Sequence, residues 1–540
     1  MKNFKYLSLL ILTLAVLACK SQQNEVLSPT KKQSKAVKTQ PKNILFIAVD
    51  DLKPLLSNYG HPEMHTPNFD RLAKMGVSFT NAYVQQAVCG PSRASVMTGT
   101  RPDRTKVWDL HTNFRKTAPD LVSMPEYLIS QGYVTTGVGK IYHKHSTSPG
   151  HDGKSWSIPH SIPENYDPKY GTPAFNYYQN PASKAKMEAL TQEAIAKGKK
   201  PRQARGYVFK RFRPSTESAA VSDEAYQDGL YAKKGVALLQ NLSKGNKPFF
   251  LAVGFQKPHL PFIAPKKYWD LYQREDIKLA KFQDLAKGTP MLAYHSFGEL
   301  RAYSDIDSKL RVGDKLPEAK QRELIHGYMA ATSYVDAQLG KLLDALDASG
   351  VADNTLIVLW GDHGYHLGDH AEWCKHSNFQ QATRIPFMFA GPGIAKNKKE
   401  NQPVELVDLF PTLFELAGVK PCAQTEGKSL VPLLDDDKKT TITKDFAVSQ
   451  YHRGKDKEGY SLRNNRYRYT EWHKNTYRTF KPYQEANIVG RELYDYDKDP
   501  LETKNLVNDP AYAAIAKQLK TQLKGYLQSE YQRFQKMKAN

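Results

Sequence analysis

The stretch Cys89-Gly90-Pro91-Ser92-Arg93-Ala94-Ser95-Val96-Met97-Thr98-Gly99 joins a thiol to the start signals of a helix. Pro91 and Ser92 suit a first turn, whose free N–H groups and dipole stabilise negative charge at residue 89. Arg93 adds a fixed planar cation. A lone cysteine there would read as a buried, inert residue; its neighbours give it chemistry. Asp50-Asp51 and Asp362-His363 each follow an apolar run. Gathered carboxylates need a cation between them, and an oxygen-rich set suits calcium or magnesium, while His363 leaves room for a softer metal. Taken alone, Asp50-Asp51 reads equally as a turn after a strand. Lys140 with His143, and His259 within Gln256-Lys257-Pro258-His259-Leu260-Pro261-Phe262, add positive charge and groups that exchange protons near neutral pH.

These residues are far apart in the chain, so the fold must gather them. Ile44 to Val49 is a continuous apolar, β-rich run that predicts a strand buried on both faces. Tyr133 to Val138, Phe249 to Val253, Leu356 to Trp360 and Ile385 to Phe389 predict further strands. Helices are predicted from Thr66-Pro67 to near Gly76 and over Tyr328 to Leu346. The alternation implies an α/β sandwich with a mainly parallel sheet. Asp50, Asp51, Lys140, His143, His259, Asp362 and His363 fall just after strands, where open sheets bind ligands. Past residue 436, Tyr460 to Trp472 and Glu492-Leu493-Tyr494-Asp495 read as short antiparallel strands, and Ala511 to about Phe534 as a closing helix. The expected division is a catalytic domain over 43–435 and a smaller α+β subdomain over 436–540.

The cysteine motif resembles the signature of type I sulfatases: Cys, Pro two residues on, Arg four residues on, then Thr-Gly. Ser155-Trp156-Ser157-Ile158-Pro159, Ser377-Asn378-Phe379 and Glu405-Leu406-Val407-Asp408 extend the likeness to the iduronate 2-sulfatase branch. The resemblance implies an alkaline-phosphatase-like α/β/α sandwich with a C-terminal subdomain. It implies that a sulfatase-maturating enzyme converts Cys89 to formylglycine, whose hydrated aldehyde attacks sulfur. It also implies Ca2+ held by Asp50, Asp51, Asp362, His363 and the modified Cys89, although His363 departs from the Asn of many sulfatases. By the same likeness Lys140 and His143 hold the nucleophile and sulfate, His259 contacts sulfate and protonates the leaving oxygen, Lys375 binds sulfate, and Arg93 supports the nucleophile. Tyr365, His366 and Trp373 are expected around the sugar by their nearness in sequence.

The chain carries 77 Lys and Arg against 55 Asp and Glu, a formal charge of +22, which favours polyanionic partners without choosing among them. Residues 1–19 read as an export signal, with Lys2 and Lys5 ahead of the apolar run Leu7 to Ala18, which is too short for a confident membrane span. Cys19 after Val16-Leu17-Ala18 resembles a lipobox, so either lipidation or plain cleavage is expected there, with 20–42 a flexible tether. The expected location is the periplasm or the outer membrane, with membrane contact only through the lipid. Export argues against nucleic acid as partner. The expected substrate is a sulfated acidic polysaccharide or its oligosaccharides, either a glycosaminoglycan with 2-sulfated uronate or an algal glycan such as ulvan. A phosphoester or phosphonate hydrolase of the same superfamily and a catalytically silent glycan-binding lipoprotein are the alternatives. Lys197 to Arg213 holds eight basic and no acidic residues, with Tyr207, Phe209 and Phe212 interleaved. It reads as a loop tracking a polyanion or, equally, as a solvated insertion. Cys374 and Cys422 either pair or stay reduced.

Overall fold

In the computed structural model the run Asn43–Val49 forms strand β1, buried along its whole length. Its alternation splits the core: Ile44, Phe46 and Ala48 face one layer, and Leu45, Ile47 and Val49 the other. The same two-sided burial recurs in β5 (Phe249–Phe255) and β7 (Thr355–Gly361), which explains their unbroken apolar sequences. Helices Cys89–Thr98, Met124–Ser130 and Leu409–Leu416 close one layer. Gln227–Leu242 and Glu318–Asp347 close the other, giving the expected α/β/α sandwich. The structure describes residues 42–144, 147, 151–161, 178–420, 422–435, 444–475 and 479–539. The expected leader, Cys19 and all of the tether but Lys42 lie outside the described residues.

β1 runs parallel to β5 on one side and to β7 on the other, with β3 (Val134–Gly139) parallel beyond β5. Past β7 the sheet turns antiparallel through β10 (Arg384–Ala390), which pairs with β2 (Gly76–Tyr83). Both features differ from the sequence reading. The helix Pro67–Met75 ends where predicted but runs straight into β2, and nothing in the apolar run Ile385 to Phe389 encodes its direction.

The basic stretch is not a loop. Pro181–Ala196 and Pro201–Arg211 form a helical hairpin, each helix opened by proline in its first turn, with Asn180 accepting the Ala182 N–H at 2.9 Å. Val208 with Met187 and Leu190 packs the hairpin on Tyr268 and Trp269.

Residues from Pro41 onward form one compact unit that includes the C-terminal elements. There β13 (Ala447–Arg453), β14 (Lys457–Arg463), β15 (Tyr467–Lys474) and β16 (Ile488–Asp495) form an antiparallel sheet in sequence order. Leu462, Tyr469 and Leu493 from this sheet meet Leu519, Leu523 and Leu527 of the closing helix Ala513–Ala539. Cys89, Cys374 and Cys422 are all free thiols. No helix among the described residues is long and apolar enough to cross a membrane.

The C-terminal ends of β3 and β5 approach so closely that they exclude a side chain. Gly139, at φ 80°, would place a Cβ 2.0 Å from the Gly254 carbonyl oxygen, and a Cβ on Gly254 would lie 2.2 Å from the Lys140 oxygen. We expect Gly254→Ala to destabilise the fold by about 1–3 kcal/mol in urea denaturation, the range for forced overpacking, and to lower activity by displacing Lys140.

Candidate active site

The four parallel strands deliver their following residues to one edge of the sheet, and ladder hydrogen bonds continue into those residues. The Asp362 N–H donates to the Val49 oxygen at 3.2 Å, the Asp50 N–H to Phe255 at 3.2 Å and the Lys140 N–H to Gly254 at 2.8 Å. Asp51, at φ 59°, turns the chain and donates its N–H to Asp362 Oδ1 at 3.0 Å. Arg93 ties the ends together from beneath. Its Nε donates to Asp362 Oδ2 at 2.8 Å and its Nη2 to Asp50 Oδ1 at 3.2 Å, while Nη1 reaches the carbonyls of Lys140 and Ile141. Arg93, Asp50, Asp51, Asp362 and His363 have no exposed surface.

Cys89 is the first residue of the helix Cys89–Thr98 and stands at the centre of this group. Its Sγ lies 3.2 Å from His363 Nε2, 3.7 Å from Lys140 Nζ and 4.0 Å from Asp51 Oδ1. Burial, reinforced by Asp50, pushes the Cys89 thiol well above its usual range despite Lys140 and Lys375, so the unmodified thiol is held protonated and weakly nucleophilic. His363 Nδ1 lies 3.0 Å from the Gly364 oxygen. A carbonyl only accepts, so Nδ1 carries the proton, which leaves the Nε2 lone pair to accept from the Cys89 thiol or to ligate a cation shared with Asp51, whose Oδ1 lies 3.2 Å away.

Two lysines face the carboxylates from above. Lys140 Nζ pairs with Asp50 Oδ2, and Lys375 Nζ lies 2.9 Å from Asp51 Oδ2. Burial alone would raise Asp50, but Lys140, His259 and Arg93 hold it well below the usual carboxylate range. Burial alone would lower Lys375, but Asp51 and Glu299 hold it well above the usual lysine range. Donor atoms of Asp50, Asp51, Cys89 and His363 all lie within 4.8 Å of one another. That span is about twice a calcium–oxygen bond, so this donor set fits one divalent ion. Asp362 stands at its edge, Oδ1 lying 3.6 Å from His363 Nε2.

The mouth of the site is less buried. His259 keeps 21% of its side chain exposed, with Nδ1 2.6 Å from the Leu260 oxygen and Nε2 3.1 Å from Glu299 Oε1. Lys257 pins the backbone of this loop by donating to the carbonyls of His259 at 2.6 Å and Pro261 at 2.8 Å. Glu299 also receives Lys375 Nζ at 2.8 Å and faces His376 Nε2 at 3.5 Å. Its carboxyl would rise through burial, but Lys375 and His259 hold it well below the usual range. The sequence gives no sign of Glu299, an isolated acid in an irregular segment, nor of Lys257 as the loop's clamp.

The structure thus brings together Cys89, Arg93, Lys140, His259, Lys375, Asp50, Asp51, Asp362 and His363. His143 is half-buried, three residues past Lys140. Tyr365, His366 and Trp373, expected around the sugar, are instead turned into the interior. Tyr365 packs against Phe262 and Tyr328 and reaches Cys374 Sγ at 3.4 Å, and His366 Nε2 contacts Ser377 Oγ at 2.9 Å. The short ribbon of β8 (His366–Leu367) and β9 (Trp373–Cys374) explains this: Trp373, and Tyr365 just before β8, complete one core cluster, while His366 packs edge-on against Phe379.

The match to known proteins is extensive. The family model described as Sulfatase covers residues 42–419, and one described as N-sulphoglucosamine sulphohydrolase, C-terminal, covers 368–529. The chain is 32% identical to human iduronate 2-sulfatase, over 87% of this chain and 92% of that protein. It is 30% identical to a sulfatase of Formosa agariphila, over 95% and 91%. A structure solved in complex with its substrate, D-glucosamine-2-N,6-O-disulfate, shares the fold at TM-score 0.68 and 22% identity, covering 92% of this chain and 99% of that one. With its alkaline-phosphatase-like α/β sandwich and C-terminal subdomain, the chain belongs to the sulfatase family and is a sulfuric ester hydrolase.

Proposed function

We propose that this hydrolase removes sulfate from a sulfated acidic polysaccharide or its oligosaccharides, with residue 89 acting as formylglycine and calcium bound beside it. The observation that carries the reading is the position of Cys89 at a helix N-terminus, 3.2 Å from His363 Nε2 and 3.7 Å from Lys140 Nζ. A thiol held protonated there serves poorly as a nucleophile, which supports an oxidised, hydrated form. Asp50, Asp51 and His363 would hold the ion with residue 89, Asp362 lying beside them, and the ion would supply positive charge to sulfate oxygens. Among sugars, a 2-sulfated uronate is supported by the name of the human relative.

The chain's own groups divide the remaining work. Lys140 and Lys375 flank residue 89 and neutralise sulfate oxygens as charge develops on them. The helix N-terminus favours negative charge on the attacking atom. His259 Nδ1 faces a carbonyl and Nε2 faces the Glu299 carboxylate, contacts that fix the ring at the mouth, where it would serve as the general acid for the leaving oxygen. Glu299 orients this ring and Lys375 together.

We expect Cys89→Ala to retain the wild-type melting curve and to lose at least about a thousandfold in turnover, the scale for removing a nucleophile. Peptide mass spectrometry of the wild type from a host with the maturation enzyme should find the aldehyde at residue 89; a fully active protein with an intact thiol would sink the mechanism. Chelation with EGTA should remove sulfate release from a panel of glycosaminoglycan and ulvan oligosaccharides, with calcium restoring it better than magnesium. Glu299→Gln should lower kcat on sugar sulfates about 10–100-fold, the scale of a misplaced general acid. 4-Nitrophenyl sulfate, whose leaving group needs no proton, should be far less affected; equal losses on both substrates would remove Glu299 from the orienting role.

A further inference from the structure

The hairpin over residues 178–213 carries ten Lys and Arg against two Glu, and the sulfatase chemistry uses none of them. Lys197 is paired with Glu193, one of the two acids. Lys200, Arg202, Lys210 and Arg211 are exposed, and all belong to the second helix or its first flanking residue. Aromatic rings order three of the hairpin's arginines, the exposed Arg211 and the half-buried Arg205 and Arg213: Arg211 lies 3.5 Å from the Tyr207 ring centroid, Arg205 5.2 Å from Phe209 and Arg213 4.2 Å from Tyr303. Long basic side chains laid on rings lose less freedom on meeting an anion than free ones do.

The end of the hairpin and the residues just after it are also tied to two segments that lead to His259 and Glu299 at the mouth of the site. The Phe262 N–H donates to the Ser215 oxygen at 2.8 Å, where β6 (Phe262–Pro265) begins to pair in parallel with β4 (Thr216–Ala219). Phe262 is three residues from His259, at most about 11 Å of chain. Arg213 exchanges two bonds with Ser304, its N–H donating to Ser304 Oγ at 2.7 Å and its carbonyl accepting the Ser304 N–H at 2.9 Å. Tyr303, beneath the Arg213 guanidinium, is four residues from Glu299, at most about 14 Å of chain. The basic helix therefore ends within a few sugar residues of His259 and Glu299.

We propose that this hairpin is an exosite that holds a sulfated polysaccharide chain by its charge while one sulfated residue occupies the site at Cys89. The proposal rests on the sulfated-polysaccharide reading above and makes the enzyme selective for chains over isolated sugars. Recognition is by density of negative charge, with no single sugar specified.

The test is the triple variant Lys200→Gln, Arg202→Gln, Lys210→Gln, in the full, matured protein, with its melting curve as the folding control. Binding of dextran sulfate, measured by titration calorimetry, should weaken about tenfold, the sum expected for three exposed charge contacts. The salt dependence of binding should become shallower, because fewer counterions are released. On a sulfated polysaccharide the variant should show a raised KM at unchanged kcat, while 4-nitrophenyl sulfate turnover stays at the wild-type value. Unchanged dextran sulfate affinity would overturn the exosite, and so would equal losses on polymer and aryl sulfate. Loss of binding to anionic phospholipid vesicles with polymer affinity intact would reassign the surface to membranes and also overturn it. If the wild type released no sulfate from any ester, the catalytic reading would fail, while dextran sulfate binding would still decide the exosite.

Discussion

Three carboxylates without exposed surface, Asp50, Asp51 and Asp362, set the problem that the rest of the structure solves. Removing such charges from water costs several kcal/mol each unless partners are fixed around them. Arg93 answers for two of them with one rigid fork, and its remaining donors satisfy the carbonyls where β3 ends. Lys140 and Lys375 answer for the rest. Because Arg93 is placed by the same helix that begins at Cys89, the position of residue 89 and the neutralisation of the acids are one geometric fact. The close glycine contact between β3 and β5 belongs to the same constraint, since it brings Lys140 within reach of Asp50.

The C-terminal sheet extends this support to the side of the site that the parallel strands do not reach. Lys375 lies between Cys374 at φ 73° and His376 at φ 69°, a backbone path that ordinary residues adopt only when their surroundings fix it. Arg453 on β13 donates to the His376 carbonyl at 2.7 Å, Tyr451 contacts His376 Nδ1 at 2.8 Å, and the Asn378 side-chain amide donates to the Gly459 carbonyl at 3.1 Å. These contacts add to the β8–β9 ladder and to the His376 N–H bond to the Ala87 carbonyl at 3.1 Å, which hold the same segment from the other domain elements. The C-terminal sheet thus helps to fix the backbone that carries Lys375, while none of its described residues belongs to the Asp50, Asp51, Cys89 and His363 donor set.

What was legible in the sequence follows from this division. Asp50, Asp51, Lys140, His259, Asp362 and His363 sit directly after buried parallel strands, and continuous apolar runs announce such strands strongly. The helix at Cys89 announces itself through Pro91 and Ser92. Glu299 follows no strand, and although it precedes the single-turn 3-10 helix Leu300–Ala302 its side chain makes no cap bond, so only the assembled mouth gives it meaning. Tyr365, His366 and Trp373 are buried for a related reason: closeness in sequence to Asp362 and Lys375 says nothing about which way side chains in and beside a two-strand ribbon turn, and here all three face the interior. The reversed β10 and the strand β2 were hidden because apolar content fixes burial and leaves direction open. The hairpin's helices were hidden by charge, since the basic composition of Lys197 to Arg213 outweighed the start signal at Pro201.

The balance of charge explains how one centre can hold an anionic ester and still release its product. Arg93, Lys140 and Lys375 offset Asp50, Asp51 and Asp362, so the protein's inner set is close to neutral by itself. Glu299 faces both His259 and Lys375 at the mouth. A divalent ion in the donor set would make the centre positive overall, enough to attract a sulfate ester and to favour the added negative charge that develops as the ester bond breaks. The lysines would then turn from the aspartates towards the sulfate, because the ion takes over their neutralising role. Glu299 lies 2.8 Å from Lys375 Nζ, so one carboxylate is shared between that lysine and His259.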